Sequence, residues 1–588
     1  MDDQKIENLL NISMQVTDEE RQLSPDLQAG YDNISKTWEV IVKYVADIDS
    51  LMDKYSGIII KPLLNNYAII KAPENLINAI ASEKNIEYME KPKNLYFQLR
   101  QGKSASCINV LQSNPTGGKI RDFENVYDSI QGAVYDVSYG TDNLFGNGVI
   151  VAVIDTGINA YDSEFRNNDG TTRILNIWDQ TTGEEYDREM INDALTHADR
   201  AGGPVEIPGK DIVGHGTSVA VIACGNSGVA SGADIIAVKL ALAEKDSFPR
   251  TTQLMEAVNY VYLKALEYNR PIAVNISFGN NYGDHTGNSL LERFFNDMLV
   301  ITKSVICVGM GNEGTGITHT AGYLSDSVEK EVEIAVGMYQ TSINIQIWKE
   351  YSDDFNIEII SPAGQNLGSI RKYSGVNRIS GPQTRILTYY GQPSPYNTRQ
   401  EIYIDMIPEA EGGYIQPGIW RLRLVPVDIV SGRFDMWLPD TAALNSTTGF
   451  LEPDSALTFT IPSTASDVIS VGAYDSRTKI PAAFSGRGYV ARTGAGIIAK
   501  PEIVAPGVDI LIGNTRRVAG TSFATPFVTG GAALLMEWGI IRGNDLYLYA
   551  DKVKAYLIKG ARHLPGFDEW PNPYTGWGTL CVSESIPG

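Results

Sequence analysis

Apolar and polar positions along this chain fall into three regimes. Between residues 148 and 322 the apolar runs are continuous, at 148–154, 235–240, 272–277 and 305–309, with helix-compatible stretches between them. Runs of this kind are strands buried on both faces, and they predict a parallel sheet covered by helices. Between 323 and 450 the pattern changes to period two, at 331–336, 343–348, 355–360, 401–406, 418–424 and 433–438, with turn residues at 361–364 and 416–418. That alternation predicts an antiparallel β-sandwich, a jelly roll, inserted within the first region. From Phe459 the continuous pattern resumes, at 468–473 and 500–507.

The third regime is N-terminal. Residues 1–26 are polar and partly helical in character. Strands are expected at 37–44, 57–60, 66–71 and 86–90, and helices at 48–55 and 73–83, where Leu76, Ile77 and Ile80 keep helical spacing and Pro73 stands near the helix start. This is a β-α-β-β-α-β unit of ferredoxin-like arrangement. Residues 91–147 join it to the rest, with Asn114-Pro115-Thr116-Gly117-Gly118 reading as exposed linker.

At 588 residues the chain exceeds what one hydrophobic core organises, so several domains are expected. Its formal net charge of −22 argues against nucleic acid or an anionic membrane as partner. Carboxylates in that number allow structural calcium, but no Asp/Asn-rich loop has the spacing to name a site. Cys107, Cys224, Cys307 and Cys581 form no Cys-x-x-Cys pair and no His/Cys cluster, which argues against a zinc centre and suggests reduced, mostly buried thiols. Met1-Asp2-Asp3-Gln4 carries no basic or apolar leader, and no run is expected to cross a bilayer. The expected location is the cytoplasm at synthesis.

Candidate chemistry lies in three distant segments. Asp155 stands in Val153-Ile154-Asp155-Thr156-Gly157, His215 in Gly214-His215-Gly216-Thr217, and Ser522 in Gly520-Thr521-Ser522-Phe523-Ala524-Thr525-Pro526. Asp155 falls at the carboxyl end of an apolar strand, where functional residues of such sheets lie. Ser522 precedes an apolar, helix-compatible stretch, so it sits where backbone N–H groups favour developing negative charge. His215, flanked by two glycines, is placed to act as general base and then general acid, with Asp155 orienting it. Asn312, in Gly309-Met310-Gly311-Asn312-Glu313-Gly314, is the candidate side-chain donor of an oxyanion hole, with the Ser522 N–H as the second donor. His197, His285, His319 and His563 have no such context and read as packing or surface residues.

The order Asp, His, Ser and these motifs resemble the subtilisin-like serine proteases, the subtilases. Narrower features, including the segments 86–92 and 106–109 and the inserted sandwich, resemble the spore-germination (Csp-type) subtilases of clostridia. The resemblance implies a subtilisin-like parallel sheet flanked by helices, made of residues 148–322 and 451–588 around the inserted sandwich of 323–450. It implies that 1–98 is a propeptide serving as folding chaperone and inhibitor, followed by a linker and mature N-terminal segment at 99–147. Ser277, Phe278 and Gly279 would form the edge strand that pairs with substrate backbone. Gly309 and Gly311 would line the pocket for the side chain before the cut. Autoprocessing would fall within 96–104, after Gln98, leaving the propeptide bound. The reaction needs no cofactor, and the substrate would be a protein, by likeness an inactive cortex-hydrolase precursor in the spore.

Two other readings stay open at this stage. One is a regulatory or scaffold protein whose protease domain is kept shut by its propeptide. The other makes 323–450 a carbohydrate-binding module using Tyr389, Tyr390 and Tyr396, although a bracing role for the sandwich is preferred.

Overall fold

A computed structural model describes residues 5–97, 106, 112, 143–201, 207, 209–241, 248–372, 375–493, 496–512 and 516–587. Among these, nine strands form the central sheet. Their order is Ile480–Pro481, Ile469–Asp475, Ser304–Gly309, Ile272–Ile276, Ile150–Asp155, Asp234–Lys239, Ile174–Asp179 and Glu184–Asp187, with Ile503–Pro506 also pairing Ile469–Asp475. The pairs are parallel except at Glu184–Asp187 and Ile480–Pro481. Alternate residues of the middle strand face opposite layers. Val151 and Val153 pack with helices His215–Cys224 and Thr521–Met536, while Ile150, Ala152 and Ile154 pack with helices Thr251–Glu267 and Leu290–Met298. Both faces are therefore apolar, which is why these strands read as unbroken apolar runs.

The helix Thr521–Met536 lies inside this core, and every one of its residues is buried. Continued to Ile541 it is long and apolar enough to cross a membrane, contrary to the expectation from sequence. Here the same composition serves burial between protein layers.

The N-terminal unit has the expected ferredoxin-like pairing. Strand Thr37–Tyr44 pairs Tyr67–Pro73 and Ile86–Glu90, and Tyr67–Pro73 pairs Ile59–Leu63, all antiparallel. One face of this sheet closes on its own helices. The other, through Ile41, Leu63, Tyr67, Ile69 and Tyr88, packs on the helices Thr251–Glu267 and Leu290–Met298. Three short helices precede the unit, Asn8–Gln15, Asp18–Gln22 and Pro25–Gln28. Leu9, Ile12 and Leu27 from them share a cluster with Leu387, Tyr403 and Ile407 of the inserted sandwich.

The sandwich has a six-stranded sheet, running from His319–Tyr323 through Arg433–Trp437, Ile343–Glu350, Arg399–Pro408 and Thr384–Tyr390 to Val376–Gly381. Facing it are Asn366–Ile370, Asp354–Ile360, Gly418–Asp428, Lys330–Val336 and Gly449–Phe450. Tyr389 and Tyr390 are buried in a strand, and the Tyr396 ring lies edge-on to Tyr88 of the N-terminal unit. None of the three is arranged as an open sugar-stacking platform, which corrects that reading. His285 and His319 stack on Trp437 at the joint between sandwich and central sheet, and His563 stacks on Trp570. Burial drives the His285 imidazole down to about 3, so it serves there as a neutral ring.

Cys224 and Cys307 are free and fully buried, but Cys581 takes part in a disulfide. The expectation of reduced thiols therefore fails at Cys581. Cysteine pairing is set by tertiary proximity, which spacing along the chain does not report.

Candidate active site

Asp155 ends the middle strand at the carboxyl edge of the sheet, paired with Lys239 of Asp234–Lys239 on one side, while Ile272–Ile276 pairs with the strand up to Ile154 on the other. His215 opens the helix His215–Cys224 directly above it. The two side chains are fully buried, and His215 Nδ1 lies 2.6 Å from Asp155 Oδ1. Gly216 makes this approach feasible, because a Cβ there would fall 2.3 Å from the Gly157 carbonyl oxygen and 3.0 Å from Asp155 Cβ. Gly214, at φ +76°, supplies the left-handed turn into the helix.

Asp211, which sequence reasoning did not single out, organises that turn. Its carboxylate accepts from the Gly214 N–H at 2.6 Å, the Thr217 N–H at 2.8 Å and the Thr156 hydroxyl at 2.8 Å. Thr156 Oγ1 in turn accepts from the Gly216 N–H at 2.9 Å. The available signal was an Asp placed to cap the helix that begins at His215.

Ser522 lies in the first turn of its helix, after Gly520. Phe523 beside it packs against the His215 ring with centroids 5.3 Å apart, which brings the two helix starts together. The Ser522 hydroxyl donates to the Ser277 carbonyl oxygen at 2.8 Å, and the Ser277 hydroxyl donates to the Ser522 carbonyl oxygen at 3.1 Å. Asn312 stands past the end of strand Ser304–Gly309, and its Oδ1 accepts from the Thr521 N–H at 3.2 Å. That bond orients the amide, with its NH2 end directed away from Thr521.

Phe278–Gly279 forms a short strand that pairs antiparallel with Tyr96–Phe97, with Phe278 opposite Phe97 and Gly279 opposite Tyr96. The C-terminal tail of the N-terminal unit thus lies along the edge strand that leads from Ser277. Upstream of it, the Leu95 N–H donates to the Pro249 carbonyl at 2.8 Å and Asn280 Nδ2 to the Asn94 carbonyl at 2.9 Å. The expected cut after Gln98 lies outside the described residues, as does most of 99–147. Gly309 and Gly311 flank Met310 between this edge strand and the Ser522 helix. Thr460, also absent from the sequence reading, fills the space between Gly279 and Gly311: a Cβ on either glycine would come within 2.6 Å of its side chain.

Among the described residues no group of three or more His, Cys, Asp and Glu side chains is gathered to hold a metal ion. Cys224, at the far end of the His215 helix, is a buried thiol pushed up to about 12 by burial, against the charge of Arg173. It packs as a small apolar residue.

Comparison with known proteins identifies both parts of the chain. Residues 4–93 match the Csp protease B prodomain, and residues 146–395 and 441–578 match the subtilase family. The structure of the Clostridium perfringens CspB protease is 36% identical, with a TM-score of 0.70, and the match covers 75% of this chain and 93% of that one. A subtilisin of Bacillus sp. (strain TA39) is 27% identical over 211 residues, and serine protease AprX of Bacillus subtilis is 32% identical over 160. The chain spans 43% and 33% of the lengths of those two relatives. With the family model covering well over half of its residues, the chain belongs to the subtilase family of serine proteases and carries a Csp-type prodomain at its N-terminus.

Proposed function

We propose that the chain is a serine endopeptidase that cuts its own propeptide and then a protein substrate through Asp155, His215 and Ser522. The observation that carries this reading is the strand pairing of Tyr96–Phe97 with Phe278–Gly279, which sets Phe97 opposite Phe278, the neighbour of the Ser277 that bonds Ser522. An extended peptide gains main-chain hydrogen bonds there without any sequence requirement of its own.

In the reaction, the Ser522 hydroxyl turns from the Ser277 carbonyl towards His215. The imidazole takes its proton as Oγ attacks the scissile carbonyl, and Asp155 stabilises the imidazolium. The oxyanion is held by the Asn312 amide NH2 and the Ser522 N–H. His215 then delivers the proton to the leaving amine, which leaves an acyl-enzyme on Ser522. Water deprotonated by His215 attacks that ester, and the freed carboxylate and the serine hydroxyl are restored. In the first turnover the acyl group is the propeptide tail, cut after Gln98. Gly309 and Gly311, with Thr460 beneath, form the walls that receive the side chain before the cut.

The likeness to the CspB protease supports a place in spore germination, with an inactive cortex-hydrolase precursor as substrate. A second reading, a propeptide-inhibited regulatory protein, is favoured by the breadth of the propeptide's contacts. Lys61 pairs with Glu256 at 2.5 Å, and Tyr67 donates to Asp297 at 2.9 Å on the protease side; Arg378 pairs with Glu20 at 2.8 Å on the sandwich side.

Intact-mass spectrometry of the purified wild-type chain beside Ser522→Ala tests the proposal. The wild type should separate into a roughly 10 kDa N-terminal fragment and a large remainder, a size that follows from a propeptide of ordinary small-domain length. The variant should stay whole. Two uncut proteins would overturn the self-processing reading.

A further inference from the structure

Glu313 follows Asn312 directly, yet its side chain turns away from the cleft and into the protein, where it is buried. Its carboxylate accepts from the Thr318 hydroxyl at 2.9 Å and from the Thr441 hydroxyl at 2.6 Å. These threonines occupy the two roots of the inserted sandwich. Thr318 immediately precedes its first strand, His319–Tyr323, and Thr441 follows its last long strand, Arg433–Trp437, 128 residues away from Glu313 in sequence. The loop around Glu313 is otherwise held by main chain. The Gly314 N–H donates to the Phe484 carbonyl and the Gly486 N–H to the Gly311 carbonyl, both at 2.9 Å. Gly314 and Gly316 leave no room for a shift. A Cβ on Gly314 would lie 2.1 Å from the Ser485 carbonyl oxygen, and one on Gly316 would lie 2.7 Å from Glu313 Oε2.

We propose that Glu313 is a positioning residue, whose buried carboxylate ties the Asn312 loop to both roots of the sandwich and so sets the side-chain donor of the oxyanion hole. This rests on the assignment of Asn312 to that hole. The inserted domain thereby reaches the reaction through one carboxylate without touching substrate. A carboxylate in this setting is an expensive choice for a brace, because burial penalises its charge. Burial raises the Glu313 carboxyl above its ordinary value, against the two threonine hydroxyls. Asp440, also buried, faces it from the same root; burial first, and then the charge of Glu313, raise Asp440 to about 7. One Asp440 oxygen accepts from the Ala442 N–H at 2.9 Å, and the other has no hydrogen-bond partner among the described residues. As pH rises through about 7, ionisation of Asp440 adds a negative charge beside Glu313, behind Asn312.

The test is a double-mutant cycle on self-processing of the full-length chain, refolded from denaturant, with tryptophan fluorescence reporting folding and mass spectrometry reporting the cut. Asn312→Ala should slow the cut about 10²–10³-fold. Glu313→Ala should slow it about ten- to a hundredfold, the scale of a misplaced catalytic group. The double variant should be no slower than Asn312→Ala alone, since both changes act through one side chain. Glu313→Gln, whose amide can exchange hydrogen bonds with both hydroxyls, should recover most of the rate and remove any decline above pH 7. A double variant slowed by the product of the two effects, or Glu313→Ala cutting at the wild-type rate, would overturn the inference alone. Asn312→Ala cutting at the wild-type rate would instead sink the oxyanion assignment and this inference with it. If Glu313→Ala does not fold, Thr441→Val takes its place in the same cycle with the same two outcomes.

Discussion

Ser522 and Ser277 hold each other by a reciprocal pair of hydrogen bonds, each hydroxyl donating to the other's main-chain carbonyl, at 2.8 and 3.1 Å. The same Ser277 hydroxyl accepts from the buried Asn275 amide at 2.8 Å. Ser277→Ala removes that acceptor and leaves the amide unpaired, which costs about 1–3 kcal/mol. It does not remove the carbonyl that engages Ser522. The expected outcome is a melting temperature lower by several degrees with the propeptide cut retained, read by calorimetry and mass spectrometry on one preparation.

Gly279 and Gly311 should tolerate no side chain. A Cβ on Gly279 would fall 2.5 Å from the Ile461 carbonyl oxygen, which is main chain and unable to yield. Gly311 has φ +85°, and alanine in that region is strained by about 1–3 kcal/mol. Gly279→Ala should displace the strand that receives Tyr96–Phe97, and Gly311→Ala should shift Asn312. Both should slow self-processing by at least tenfold, on the scale of an ångström-sized misplacement. Time courses of the cut after refolding would check this, and wild-type rates would refute it.

Propeptide retention should depend on pH. Glu90 of the propeptide and Glu401 of the sandwich line a cavity of about 50 Å³, together with Glu7, Asn8, Lys93, Asp284, Glu292 and Arg399. Burial foremost raises Glu90 to about 7 and Glu401 to about 8, with Glu7 adding to both and Lys93 opposing. A carboxyl raised in the assembled state contributes stability that is complete below its unfolded pKa and is lost as pH rises through the folded value. These two therefore weaken the assembly progressively as pH rises from about 4.5, the ordinary carboxyl value, to between 7 and 8, and add no further loss above that. Lys91 acts with the opposite sign, since burial lowers it to about 7 and its contribution is lost as pH falls. Size-exclusion of the processed protein should show propeptide bound near pH 5 and partly released near pH 8. Glu401→Gln should flatten that loss, and retention unchanged from pH 5 to pH 8 would refute the assignment.

Arg378 reaches from the sandwich to Glu20, with Nε to Oε1 at 2.8 Å and Nη2 to Oε2 at 2.9 Å. Glu20 is buried and Arg378 is partly exposed, so solvent screening reduces what a buried pair would cost to break. Arg378→Ala should weaken propeptide binding by about 1–2 kcal/mol, roughly five- to thirtyfold. Titrating separately refolded propeptide into the variant would measure this, and an unchanged affinity would count against the clamp.

The sequence reveals most about this protein where one short segment carries both a local shape and a chemistry. Asp155 ends an apolar run, His215 sits between glycines, and Ser522 opens an apolar helix, so each was legible alone. The six alternating strands of the sandwich were legible for a similar reason, since each has one face on the core. Strands Asn366–Ile370 and Val376–Gly381 were not, because they lie at the sheet edges and bury little. The N-terminal helices looked merely polar because their apolar residues Leu9 and Ile12 meet partners more than 370 residues away. Thr460 and Glu313 act by tertiary contacts with unremarkable neighbours in sequence, and no local pattern distinguishes them, whereas Asp211 had a local signal as a helix cap that the three motifs overshadowed.

The helix that carries Ser522 is buried along its whole length, and it lies close to the C-terminal end of the sequence. During synthesis, the propeptide emerges first and Ser522 follows more than 400 residues later, a delay of tens of seconds at about 5–20 residues per second. Until that helix arrives there is no core for it to enter and no nucleophile in place. The ribosome thus imposes a schedule in which the prodomain is complete before the serine it lies beside exists.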